Sequence, residues 1–168
     1  MRPMTGREPG VVGAAFALDD TWTGLITDGI HVHPGSIRLA LKNKGFEKIF
    51  LVSDAMATVG STQKSFELYG ERIEEQDGRL VNQEGRLAGS AITLLDGIRY
   101  CIQSMSLPPE QVLAMVTRVP ASYMQLEQQH GQLRDGAIAD ICYLDDDYNV
   151  QGVWREGEPI FTKQEANR

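Results

Sequence analysis

Thr23-Gly-Leu-Ile-Thr-Asp-Gly-Ile-His-Val-His33, running into Pro34, and further on Lys48-Ile-Phe-Leu-Val-Ser-Asp54 are the stretches that decide the fold. The first is a short apolar run closing on polar residues, and the proline after it suits the first turn of a helix, where its missing N–H leaves nothing unpaired. This order predicts a strand, a loop and a helix over about Gly35 to Lys44. Ile37, Leu39 and Leu41 supply its apolar character, and Gly45 is its stop. Lys48–Val52 has four consecutive apolar residues, the mark of a strand buried on both faces of a parallel sheet. Strand, helix and strand with short links make a βαβ unit with a right-handed crossover. In α/β architectures chemistry gathers at the C-terminal ends of such strands, and His31, His33 and Asp54 all fall there.

Working outward, the texture from Ser65 to Gly89 changes to alternating segments broken by Gly70, Asp77-Gly78 and Glu84-Gly85, which predicts a β-hairpin or two across Phe66 to Val81. Ser90 then reads as the N-cap of a helix to about Met105, with Ile92, Leu95, Ile98 and Ile102 at helical spacing. Pro108-Pro109-Glu110 opens another helix, which Pro120 breaks or restarts before Gly131. Ala139–Leu144 and Asn149–Trp154 read as strands of a small β-structure. Two βα units cannot close an eight-stranded barrel, which takes about 250 residues. A sheet edge without its neighbours would expose backbone donors and apolar surface.

Composition narrows the function classes. A chain of 168 residues is long enough for a core of its own. No apolar run approaches the ~20 residues of a membrane helix, and the start MRPMTGREPG lacks the charged-then-apolar order of a secretory signal, so the expectation is a soluble, cytoplasmic protein. A formal charge of −7 argues against nonspecific binding to nucleic acid or an anionic membrane, while an anionic small molecule remains open where a few basic groups converge. Cys101 and Cys142 form no CxxC pair and read as reduced, buried thiols. Met56, Met105, Met115 and Met124 read as core filler.

Thr5-Gly-Arg-Glu-Pro-Gly10, Thr27-Asp-Gly-Ile-His-Val32 and Leu51-Val-Ser-Asp-Ala55, in this order and with Leu87-Ala-Gly-Ser90 ahead of a helix, closely resemble the C-terminal portion of N-acetylglucosamine-6-phosphate deacetylases, which are amidohydrolases. Gly131-Gln-Leu-Arg-Asp-Gly-Ala-Ile-Ala-Asp-Ile141 resembles the return into the small β-domain of many amidohydrolases and is less specific. The resemblance implies the C-terminal part of a (β/α)8 TIM-like barrel over residues 1–130, with a hairpin insertion at about 65–89. Strands of a small β-sandwich would follow over 131–168. It also implies a homodimer that converts N-acetylglucosamine 6-phosphate to glucosamine 6-phosphate and acetate with a divalent metal, Zn2+ or else Fe2+. The metal ligands of that family, a Glu and two His, would lie upstream of this chain. With Met1 standing where that upstream stretch would continue, the chain alone is expected to lack turnover.

Asp54 is the first candidate for catalysis. Amide hydrolysis needs a base for the attacking water and an acid for the departing amine, and one carboxylate can serve as each in turn. The plain alternative is an N-cap for the turn that follows. By the resemblance, His31 contacts substrate and Arg7 binds phosphate, reaching the neighbouring subunit's site. A guanidinium fork and an imidazole donor suit a phosphate dianion. Without that resemblance Arg7 is a solvated loop charge and His31 a structural histidine. Leu87, Ala88 and Gly89 match a loop whose backbone meets the substrate, where glycine permits close approach, although a simple turn would look the same. His31-Val32-His33 also has the HxH spacing that puts two imidazoles on one strand face, so a metal pair with Asp54 as third ligand is the rival reading. A second rival is a non-catalytic sugar-phosphate binder. His130 receives no role.

Overall fold

A computed structural model describes residues 4–76 and 78–163; Asp77 of the Asp77-Gly78 turn signal and the Met1 start lie outside the described residues. The βαβ unit is present. Strand β1 (Thr23–Leu25) pairs in parallel with β2 (Ile49–Leu51), Thr23 facing Ile49 and Leu25 facing Leu51. Val52 N–H extends the ladder to the Leu25 carbonyl at 3.1 Å. Ahead of β1 lies helix α1 (Gly10–Ala17), and between the strands runs helix α2 (Pro34–Lys44). Pro34 occupies the first turn of α2, and Gly45 ends it at a positive φ of 68° while its N–H caps the Leu41 carbonyl. The helix buries Ile37, Ala40 and Leu41. Leu39, expected to help form the apolar face, points out instead, since positions 37, 40 and 41 already make the inward stripe of a 3.6-residue period.

Residues 65–90 form a four-stranded antiparallel meander: β3 (Ser65–Leu68), β4 (Glu71–Gln76), β5 (Arg79–Val81) and β6 (Leu87–Ser90). Tyr69-Gly70, both at positive φ, make the two-residue turn between β3 and β4, the hand that matches strand twist. Helix α3 (Leu94–Arg99) follows and continues into a π-helical turn at Tyr100–Ser104. Its N-cap is Thr93 and not Ser90: the Thr93 hydroxyl accepts from Asp96 N–H at 3.3 Å, and the Asp96 carboxylate accepts from Thr93 N–H at 2.8 Å, a complete capping box. Helices α4 (Pro109–Ala114) and α5 (Arg118–Tyr123) are separate, with Pro120 in the first turn of α5, so the proline restarts the helix. The last sheet is β7 (Ile141–Leu144), β8 (Val150–Arg155) and β9 (Glu158–Thr162), all antiparallel. Arg99 ties it to α3 by donating to the Tyr148 carbonyl and the Asn149 side chain, both at 2.9 Å.

The core joins β1, β2, α2, α3 and α4 through Leu25, Ile37, Ile49, Leu51, Ile98, Cys101, Val112 and Met115. Cys101 and Met105 are buried as expected, but Cys142 and Met124 are exposed: each sits outside this cluster, Cys142 on an outward position of β7 and Met124 at the C-cap of α5. Among the described residues no helix is long and apolar enough to cross a membrane. Ile49 is fully buried at the centre of the core. Ile49→Ala is therefore expected to cost about 2–5 kcal/mol, the range for emptying such a position, read as a lowered denaturant midpoint with an unchanged slope.

Candidate functional site

The parallel pair delivers two loops to one end. From β1 the chain enters Thr27-Asp28-Gly29-Ile30-His31, and from β2 it enters Ser53-Asp54-Ala55. The first loop is organised by Asp28. Its Oδ1 accepts the backbone N–H groups of Ile30 at 2.8 Å and His31 at 2.9 Å, and its Oδ2 lies 2.6 Å from His31 Nδ1. Both side chains are shielded, 3% exposed for Asp28 and 11% for His31. Burial pushes the Asp28 carboxyl upward, but the His31 imidazole and the two backbone N–H groups outweigh it and hold the carboxyl below its ordinary value. Gly29 takes a φ of +72°, and an added Cβ would run into the Tyr100 ring, so the turn after Asp28 is reserved for glycine.

His31 bridges to the third segment of the site, its Nε2 lying 3.1 Å from the Gly89 carbonyl at the end of β6. A carboxylate and a carbonyl only accept, so both contacts are hydrogen bonds when each ring nitrogen donates. Beside Gly89, Ser90 pairs with the second loop: its N–H donates to the Asp54 carbonyl at 2.9 Å, its hydroxyl to the Ser53 carbonyl, and its own carbonyl accepts from Met56 N–H at 3.1 Å. Gly89 lies at φ +88°, packed so closely on Met56 and the Asp54 carbonyl that a side chain would collide. Asp54 adopts the left-handed region at φ 52°, which Asp tolerates better than most residues. Its side chain is exposed and makes no hydrogen bond or ion pair among the described residues.

Of the residues singled out from the sequence, His31, Asp54 and the Leu87–Gly89 edge are thus brought together through one backbone junction. Arg7 is not joined to them. It projects from an exposed turn that Thr5 and Glu8 close, Glu8 N–H donating to the Thr5 hydroxyl at 3.0 Å. The HxH reading does not survive. His31 and Val32 are bends and His33 is the N-cap of α2, not parts of a strand, so the period-2 argument for one shared face does not apply. His33 Nδ1 accepts from Gly35 N–H at 3.1 Å as the N-cap of α2, while both nitrogens of His31 are engaged elsewhere. Among the described residues no three His, Cys, Asp or Glu side chains gather as a metal site. The residue that reading for motifs missed is Asp28. Its signal was Asp-x-x-His with the Asx turn typical of Asp before Gly, yet its burial is invisible locally.

Residues 14–160 match the amidohydrolase family. The chain is 40% identical over 166 residues to an N-acetylgalactosamine-6-phosphate deacetylase of Shewanella sp. (strain ANA-3), covering 99% of this chain and 42% of that protein. It is 31% identical to an N-acetylglucosamine-6-phosphate deacetylase of Vibrio furnissii, covering 96% of this chain and 40% of that protein. The crystal structure of N-acetylglucosamine-6-phosphate deacetylase from Pasteurella multocida superposes with a TM-score of 0.88 at 35% identity, over 92% of this chain and 40% of that one. The chain thus spans about two-fifths of the length of the relatives it matches.

Because the Asp28 carboxyl sits lower in the folded chain than in the unfolded one, the unfolded chain takes up its proton first as pH falls. The ionised group therefore contributes stability above the ordinary aspartate value of 3.8, and that contribution is lost as pH drops through the lower folded value. Asp28→Asn should be less stable at neutral pH and lose less stability on acidification than the parent, measured by denaturant unfolding across the acid range.

Proposed function

The chain belongs to the amidohydrolase family, and from that premise we propose that it forms the C-terminal part of a cytoplasmic, homodimeric deacetylase of N-acetylhexosamine 6-phosphates. The single observation that carries this reading is the Asp54 carboxylate, exposed and free of partners among the described residues at the C-terminal end of β2. Its backbone is pinned to the edge that also meets His31. Asp54 takes a proton from the attacking water as its oxygen adds to the acetyl carbon. It returns that proton to the amine nitrogen as the C–N bond breaks, giving acetate and the free amino sugar. His31 and the Leu87–Gly89 backbone line the sugar side, the glycine permitting close approach. Arg7, standing clear on an exposed turn, suits a phosphate bound at a neighbouring subunit's site. A phosphorylated substrate is charged and is held inside the cell by the membrane's apolar core, in keeping with a cytoplasmic enzyme.

The residues described here do not fit the divalent metal, Zn2+ or Fe2+, that the family resemblance implies: they hold no three-ligand cluster, His31 Nε2 faces the Gly89 carbonyl, and His33 Nδ1 caps α2. The ligands would be supplied by the upstream part of the barrel. The substrate carries two readings. N-acetylglucosamine 6-phosphate follows from the motifs, whereas the galacto epimer is favoured by the higher identity, 40% against 31%, to the relative named for it.

Acetate release from both epimers separates these readings, measured on the chain alone and on the chain joined to the upstream remainder of the Shewanella relative. No turnover is expected alone. The joined enzyme should turn over, and Asp54→Asn should lower its kcat roughly 10²–10⁴-fold, the span usual for a lost acid/base group. Turnover by the chain alone that His33→Ala abolishes would overturn the assignment of the metal to upstream residues.

A further inference from the structure

Asp28 has no part in the chemistry proposed above, yet it is the most shielded charged group at the strand ends, with three contacts in hydrogen-bond range all directed at the loop that carries His31. A buried carboxylate is costly to keep unless its bonds fix something. Here they fix a ring. The two backbone bonds set the Asx turn, which places the imidazole, and the 2.6 Å contact to Nδ1 sets the plane in which Nε2 reaches the Gly89 carbonyl. Gly89 and Ser90 in turn abut Asp54: the Ser90 N–H holds the Asp54 carbonyl and the Ser90 carbonyl holds Met56 N–H. The line Asp28, His31, Gly89, Ser90, Asp54 is therefore continuous in hydrogen bonds and chain, although its ends lie in loops after different strands. An ionised partner behind an imidazole is a recurrent way of fixing which nitrogen bears the proton and where the ring points.

We propose that Asp28 is a positioning residue which, through His31, holds the Leu87–Gly89 backbone edge in register with Asp54. That this edge meets a substrate rests on the deacetylase reading; the tie itself does not.

The test uses the 15N-labelled chain, which has three histidines, so the His31 ring signals are assigned by their persistence in His33→Gln and His130→Gln. In the parent, Nδ1 of His31 is expected to carry a proton, since the Asp28 carboxylate it faces only accepts. In Asp28→Asn the Nδ1 proton should be lost, because an amide NH2 facing the ring donates and does not accept. Amide exchange at Ser90 and Met56, the two backbone N–H groups whose bonds join this edge to the Asp54 loop, should quicken about tenfold in Asp28→Asn and in His31→Phe. The double variant should be no faster than either single one, since both cut the same line. An unprotonated Nδ1 in the parent overturns the proposal, as does a changed ring with unchanged exchange at Ser90 and Met56. A general quickening of exchange with an unaltered ring does the same, showing Asp28 to be merely structural. Should Asp28→Asn fail to fold, His31→Phe decides: unchanged exchange at Ser90 and Met56 overturns the tie. No readout here depends on turnover, so failure of the deacetylase assay leaves these results standing.

Discussion

Ser90 is the residue on which the rest of the site depends. It is fully buried, and all three of its polar groups are spent on the loop after β2: N–H to the Asp54 carbonyl, hydroxyl to the Ser53 carbonyl, carbonyl to Met56 N–H. Burying three polar groups is affordable only when each finds a partner, so the end of the meander and the end of the parallel pair must be held in one register. Gly89 then has no room for a side chain, Asp54 is forced into the left-handed region, and the Gly89 carbonyl is left facing His31. A strained Asp backbone persists where surrounding structure over-determines it, and this junction is that structure.

This also explains why some features were legible in the sequence and others were not. The βαβ unit was readable because its signals are local: an unbroken apolar strand, a proline at a helix start, a glycine at its stop. Ser90 resembles a cap in sequence because its partners Ser53, Asp54 and Met56 lie far back along the chain, while the true box, Thr93 with Asp96, follows in a pattern that satisfies the capping rule outright. Helix α1, apolar all round with two internal turns of Gly, Ala and Val, offers no polar stripe to announce it. Strand β9 carries Pro159, and it is tolerated because β9 is an edge strand of its sheet.

The charge balance of the molecule bears on the same site. With a net charge of −7, an anion near this site would be attracted only by donors at short range. At the strand ends the acidic groups are handled in two ways. Asp28 is buried and bonded three times, which removes its charge from the surface, while Asp54 is left in solvent without a partner among the described residues. Two carboxylates at one end of a sheet therefore stand in different environments, one bound up in architecture and the other open to solvent.

The histidines divide in the same manner, and the division decides what chemistry this chain can host. Spacing alone made His31 and His33 equivalent, two imidazoles separated by one residue. The backbone makes them unlike: the chain turns at 31–33 to enter α2, so one ring closes a helix end and the other braces the site. A metal on Nε2 of His31 would displace only the Gly89 contact and leave Nδ1 to the Asp28 carboxylate, whereas a metal on His33 would take away the acceptor that caps α2, at a cost of about 0.5–2 kcal/mol. Metal affinity would have to exceed the loss of that cap, with no third ligand gathered beside the pair among the described residues. The fold thus ties His33 to a helix end and orders the edge beside Asp54, whose carboxylate has no partner among the described residues.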